Sequence, residues 1–391
     1  MRPLANIRIL DLTRLLPGPF CSLMLADLGA EVIKVEDTSL GDYLRWQSPR
    51  LAETQSLFFM ALNRNKQSLR LNLKPKEGKE VFGKLVQTAD VVLESFRPGR
   101  LDKLGVGYDA MSAINPRIIY CAISGYGQDG PYKERAGHDL NYIARAGLLD
   151  LFGKRGGEPM MPPVQIADLT GAYLAAIGVL SAVVARATTG RGQFVDISMM
   201  DGVWPWLLSL LPRYWFDGTA PGRGELHLGG AMPCYNIYEC RDGQWISLGA
   251  LEPQFWVTFC RMVQREDWIA RQRDTGPEAE PTFAGLRALF QTKPRAEWLE
   301  FFADADVCTE PVLTAREAAG DPQIRHRRMM VEVEQPHVGK IKEIASPLKL
   351  SDAPEPRLEP SPEYGQHTGA ILRSLGYSDE QIGALKELKV I

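Results

Sequence analysis

The chain opens with strand, turn, helix and strand in immediate succession, and that order constrains the fold more than any other feature. Ile7 to Leu12 is a short β-rich run, Pro17-Gly18-Pro19 turns the chain, Phe20 to Leu28 is small and apolar, and Glu31 to Glu36 is a second β-rich run. Strands joined through a helix run parallel, and a parallel sheet is stable only with helices over both faces. Ala89 to Glu94, Arg117 to Ser124 and Phe194 to Ser198 are further β-rich runs, while Gly78 to Gln87 has helical spacing. The first 200 residues are therefore expected to form a doubly wound α/β domain, followed by an apolar helix around Trp204 to Leu211.

At 391 residues and 45% hydrophobic content the chain exceeds what one core usually serves. The Gly/Pro-rich stretch from Asp217 to Pro233 breaks the periodicity. Beyond it, Tyr235 to Cys240 and Gln244 to Leu248 flank Arg241-Asp242-Gly243 as a hairpin, with helical stretches at Pro253 to Val263, Gly285 to Gln291 and Arg295 to Phe302. Five prolines between Pro347 and Pro362 make a stiff connector to a last amphipathic segment, His367 to Leu388. The expected organisation is a large domain over residues 1–216, a linker over 217–233, a small α+β domain over 234–345, a Pro-rich connector over 346–366, and a C-terminal helical segment over 367–391.

A formal charge of -3 without a basic block argues against nucleic acid as a partner. The six cysteines form no C-x-x-C pair and read as reduced thiols, pointing to a cytoplasmic protein with no metal site. The N-terminal stretch lacks the uninterrupted apolar core of a secretory signal. The longest nearly apolar run, Ala172 to Ala185, is 14 residues long, short of the roughly 20 a bilayer needs, and is expected to be a buried helix rather than a membrane span.

Gly125-Tyr126-Gly127-Gln128-Asp129-Gly130 satisfies a dinucleotide-binding pattern but is followed by a charged loop rather than an apolar helix, so a tight turn is the better reading. Asp168 stands at or just before the apolar helix, either as an N-cap or as a carboxylate set between helix-end N–H groups and apolar surroundings. His138, one of five histidines, opens the preceding helical stretch. Two acid/base candidates opening successive helices at one sheet edge occupy the place where open α/β sheets hold ligands. Glu252 precedes a proline suited to a first helical turn, and Arg97 follows a strand where it could meet a phosphate.

Ten segments in order along the chain resemble the class III CoA-transferase superfamily, and within it the α-methylacyl-CoA racemase branch. Among them are Leu16-Pro17-Gly18-Pro19-Phe20-Cys21, Asn63-Arg64-Asn65-Lys66, Phe96-Arg97-Pro98-Gly99, Ala136-Gly137-His138-Asp139-Leu140-Asn141-Tyr142, Ala167-Asp168 and Gly249-Ala250-Leu251-Glu252-Pro253. The resemblance implies a Rossmann-like large domain built from both chain ends, a smaller α+β domain, and an interlocked homodimer acting on an acyl-CoA substrate. It implies that Asp168 is the catalytic aspartate, a base in racemases and a nucleophile in transferases. It further implies that His138 is a second base found in the racemases, and that Glu252 hydrogen-bonds that histidine. Arg97, Lys66 and Gly137 are the expected contacts to CoA. One segment departs from the racemases: Leu228-Gly229-Gly230-Ala231-Met232-Pro233 stands where they carry Leu-Asp-Gly-Gly-Ala-Pro.

Racemising a 2-methylacyl thioester requires one group on each face of a planar enolate, and His138 and Asp168 are the expected pair. Backbone N–H groups just after Asp168 are the expected donors to the enolate oxygen. CoA is part of the substrate, and the reaction calls for no metal or redox cofactor. The alternative is CoA transfer to a carboxylate, with Asp168 forming an anhydride and then a thioester.

Overall fold

Alternate residues of the β-rich runs are apolar on both sides, so the strands can be covered twice. Ile9, Val32, Val91 and Ile119 share one face of a sheet and Leu10, Ile33, Val92 and Tyr120 the other, all buried. The computed structural model describes residues 1–355 and 357–391; Pro356, one of the five connector prolines, lies outside the described residues. Six parallel strands lie in the order Lys66–Arg70, Glu31–Glu36, Arg8–Asp11, Val91–Glu94, Ile119–Ser124 and Phe194–Ser198. The order reverses between Arg8–Asp11 and Val91–Glu94, and the carboxyl ends of strands at such a reversal are where open α/β sheets hold ligands.

One face is covered by helices Lys76–Thr88, Tyr108–Ile114, Thr368–Ser374 and Asp379–Glu387, which contribute Phe82, Val86, Met111, Ile371, Leu372 and Leu385 to a common core. Helices Pro17–Asp27 and Ile166–Thr189 pack together over the other face. The edge strand Lys66–Arg70 is not evident in the sequence, because two of its three buried side chains, Lys66 and Ser68, are polar and only Leu69 is apolar. Lys66 joins an internal network, and Ser68 Oγ donates to Glu36 at 2.7 Å. Its outer backbone is covered by the C-terminal segment: the Ser68 amide donates to His367 Nδ1, and the Arg70 amide to Thr368 Oγ1.

The chain divides into a first unit, Met1–Ala146, Pro163–Pro205 and Arg328–Ile391, and a second, Gly147–Pro162 and Trp206–Arg327. These bounds differ from the expected ones at four places, the first two being residues 147–162 and 206–216, which were expected in the large domain and belong to the second unit. The hairpin Met330–Gln335 and Gly339–Ile344, expected in the small domain, belongs to the first unit, where Glu343 accepts a buried ion pair from Arg64 at 2.9 Å. The stretch 217–233, expected as a linker, belongs to the second unit, where Arg223 ties it to Asp150 at 2.7 Å. In that unit Tyr235–Glu239 and Trp245–Gly249 form the antiparallel hairpin, extended by Thr309–Pro311. Its core is aromatic, with Trp256, Phe259, Phe290, Trp298 and Phe302 in contact.

Two helices differ from expectation. The apolar helix is 24 residues long, Ile166–Thr189, and by length and composition could cross a membrane. It is buried on one side only, leaving Tyr173, Ile177 and Val184 exposed, the last at 71%. The expected helix over 204–211 is instead a 3-10 turn, Trp204–Leu207, followed separately by helix Leu211–Asp217. Pro205 and Pro212 lack the N–H that an uninterrupted helix would use.

Candidate active site

Asp168 is the third residue of helix Ile166–Thr189, in its first turn and not its N-cap. Gln165 holds the cap position without a side-chain bond. The free N–H groups of that turn are taken by a residue from another helix: Asp139 Oδ1 accepts the amides of Ala167 at 2.6 Å and Asp168 at 3.1 Å. Asp139 opens helix Asp139–Arg145, whose N-cap is His138. The two acid/base candidates are thus brought together by the carboxylate next to His138 gripping the amide of Asp168. His138 is exposed, and its backbone N–H donates to Asn141 Oδ1 at 3.0 Å, which fixes the start of its helix.

Burial, with the like charge of Asp139 second, pushes the Asp168 carboxyl up to about 7. Asp139 is itself raised by burial, although the two amide bonds it accepts pull it back. Tyr142, one turn along from His138, donates its hydroxyl to Gly137 O at 2.6 Å. Burial and the charge of Asp168 raise its phenol to about 12, while Arg97 pulls the other way. Arg97 therefore shares this corner of the sheet, in the exposed loop after strand Val91–Glu94. Glu94, which the sequence reading did not single out, shapes that loop by accepting the Phe96 amide at 2.6 Å; burial raises its carboxyl to about 8.

Two expectations are corrected by the geometry. The N–H groups just after Asp168 are not free donors, since the Leu169 amide already bonds Gln165 O at 3.1 Å as the helix begins. Lys66 is wholly buried, and its ammonium donates to Pro19 O, Ser22 Oγ and Asn63 Oδ1 at 2.8 to 2.9 Å, with Asp11 at 3.5 Å. An ammonium has three protons, so none remains for CoA. Burial pushes it down to about 7. Gly137 is a glycine for packing reasons: a Cβ there would sit 2.7 Å from the Tyr142 ring, and one on Gly125 would sit 2.5 Å from it. Gly127 and Gly130 have φ of +88° and +77°, so the glycine-rich segment is a tight turn, with the Gly127 amide bonded to Ser124 Oγ.

In the second unit Glu252 is the N-cap residue of helix Pro253–Met262, with an exposed side chain and a carbonyl that accepts the amides of Phe255 and Trp256. The same unit holds a cleft of about 1100 Å³ lined by Lys154, Arg155, Arg213, His227, Glu239 and Arg287 among others. Gly229, Gly230 and Ala231 of the departing segment also line it, whereas Met232 is buried in the aromatic core and fills space there.

The family model described as CoA-transferase family III matches residues 4–368. The human succinyl-CoA:glutarate CoA-transferase is 32% identical over 100% of this chain and 90% of its own length. The human alpha-methylacyl-CoA racemase is 35% identical over 99% and 97%. A crystal structure of a CAIB/BAIF family protein from Brucella suis superposes with a TM-score of 0.83 at 31% identity, covering 95% of this chain and 99% of that one.

Proposed function

The chain belongs to CoA-transferase family III and is an enzyme of acyl-CoA chemistry, and from that premise we propose that it racemises 2-methylacyl-CoA thioesters, with His138 and Asp168 as its two bases. One observation carries the reading: Asp168 sits beside the His138 helix start with its carboxyl raised to about 7, where it can both take up and release a proton. In one direction the neutral imidazole removes the Cα proton and the Asp168 carboxylic acid delivers its own to the opposite face. The products are imidazolium and carboxylate, from which the reverse reaction starts. Glu252 is assigned the task of orienting the imidazole and Arg97 that of meeting a CoA phosphate. The strand order, with its reversal beside Arg8–Asp11, supports a Rossmann-like description of the first unit. The exposed apolar residues Ile177 and Val184 in one unit and Trp215 and Phe216 in the other support a homodimer.

The second reading is CoA transfer. Here the Asp168 carboxylate attacks the acyl carbonyl and the CoA thiolate leaves. The thiolate then attacks the Asp168 carbonyl of the anhydride, forming an Asp168–CoA thioester and releasing the donor acid. The acceptor carboxylate attacks that thioester, so that the thiolate set free a second time takes the acceptor's acyl group and Asp168 is regenerated. Its support is the 32% identical transferase, together with the engagement of the Leu169 amide within the helix, which removes one ready enolate donor. Incubation of 2-methylacyl-CoA in D2O, with and without free carboxylic acids, separates the two. Racemisation puts deuterium at Cα without an acceptor, and His138→Ala slows washout from one epimer by roughly 10²- to 10⁴-fold. If label never enters Cα while hydroxylamine traps an Asp168 adduct, the chain is a transferase.

A further inference from the structure

We propose that Asp139 is a positioning residue that occupies the N-terminus of helix Ile166–Thr189 so that Asp168 does not. The proposal deepens the reading of Asp168 as a proton carrier and rests on it. An aspartate in a first helical turn ordinarily turns toward the unsatisfied N–H groups and the positive end of the helix, and both hold it ionised. Here the amides of Ala167 and Asp168 are already bonded to Asp139 Oδ1 at 2.6 and 3.1 Å. The charge that neutralises the helix end comes from a neighbouring helix, and the Asp168 carboxyl is left part-buried and within the field of the Asp139 charge. One residue therefore sets the direction of the Asp168 side chain and keeps its proton affinity high.

The other groups near Asp168 do not perform this task. From helix Asp139–Arg145 and its cap come His138 and Tyr142, and Arg97 and Tyr126 stand close to Tyr142. Asp201, on helix Met199–Val203 packed nearby, is exposed. Helix Pro17–Asp27 brings only Asp27, at its last residue, where it is paired with Arg64. Among the described residues, Asp139 alone hydrogen-bonds the turn that carries Asp168 with a charged side-chain atom.

The test is a titration of the full-length protein carrying aspartate labelled with ¹³C at the carboxyl, with Asp168→Asn assigning the resonance. Asp139→Asn keeps an oxygen that can accept both amides and removes the charge. The Asp168 midpoint, near 7 in the wild type, should fall by about one unit or more, a tenfold or greater loss of proton affinity. Asp139→Ala frees the amides, so Asp168 should fall further and the thermal midpoint should drop, as for a lost helix cap. An unchanged midpoint in Asp139→Ala, where the amides are free, overturns the proposal. A wild-type midpoint near 4 overturns it with no variant needed. The readout is independent of turnover, so loss of the racemase reading would leave this result standing or falling by itself.

Discussion

Replacing Asp168 by Asn should make the protein more stable in alkali and not in acid. In the folded chain burial raises the Asp168 carboxyl from 3.8 to about 7. Between those values the folded state holds a proton that the unfolded state has lost, so stability falls as pH rises through the interval, and the full penalty is present above pH 7. At about 1.4 kcal/mol per unit the penalty reaches roughly 4 kcal/mol, of which about 3 kcal/mol develops between pH 5 and pH 8.5. Asparagine has nearly the same shape and never ionises, so the variant escapes the penalty. Its lead over the wild type should widen by roughly that 3 kcal/mol across the same range. Urea unfolding of both proteins at four pH values, at one protein concentration, measures the difference directly. A lead that does not change with pH, or a variant less stable than the wild type at pH 8.5, would refute the placement of Asp168 in a desolvated site. The expected outcome is an inactive protein with a higher urea midpoint at pH 8.5, the trade between stability and activity that a strained functional site implies.

Arg97→Ala should raise KM for the CoA ester and leave kcat nearly unchanged, because a contact to the nucleotide end is made equally in ground and transition states; a pure kcat loss would move Arg97 to the reacting end. Lys66→Met strips Asp11 and Ser22 of a buried donor and should lower stability by about 2 to 4 kcal/mol in urea. A weaker CoA ester affinity with an unchanged urea midpoint would return Lys66 to the ligand. Sedimentation should show a dimer whose unfolding midpoint depends on protein concentration, and a folded, active monomer at low concentration would contradict the assignment of the exposed apolar faces to a partner copy.

What the sequence made legible, and what it did not, follows from how each contact is encoded. Glu31–Glu36, Phe194–Ser198 and Arg295–Phe302 have the bounds that their patterns predict, because local apolar spacing determines them. Lys66–Arg70 was hidden since its inward side chains, Lys66 and Ser68, are buried through bonds to Asp11, Ser22 and Glu36, partners that no periodicity reveals. The start of the long helix at Ile166 was hidden for a related reason. Gln165 carries no capping bond, and the signal that ends the chain's extended run lies 28 residues earlier, in Asp139. His138 and Asp168 could be picked out because each opens a helical stretch and belongs to a segment resembling a known family. Asp139 stands next to His138 in the same segment, yet nothing in its local pattern marks it, since a carboxylate in a first helical turn is ordinary. Its meaning depends on two amides across a helix contact, and this is the general condition of a positioning residue. A group that acts through another shows in the pairing of elements, and only a sequence reading that asks which helix ends lack a cap of their own would look for it.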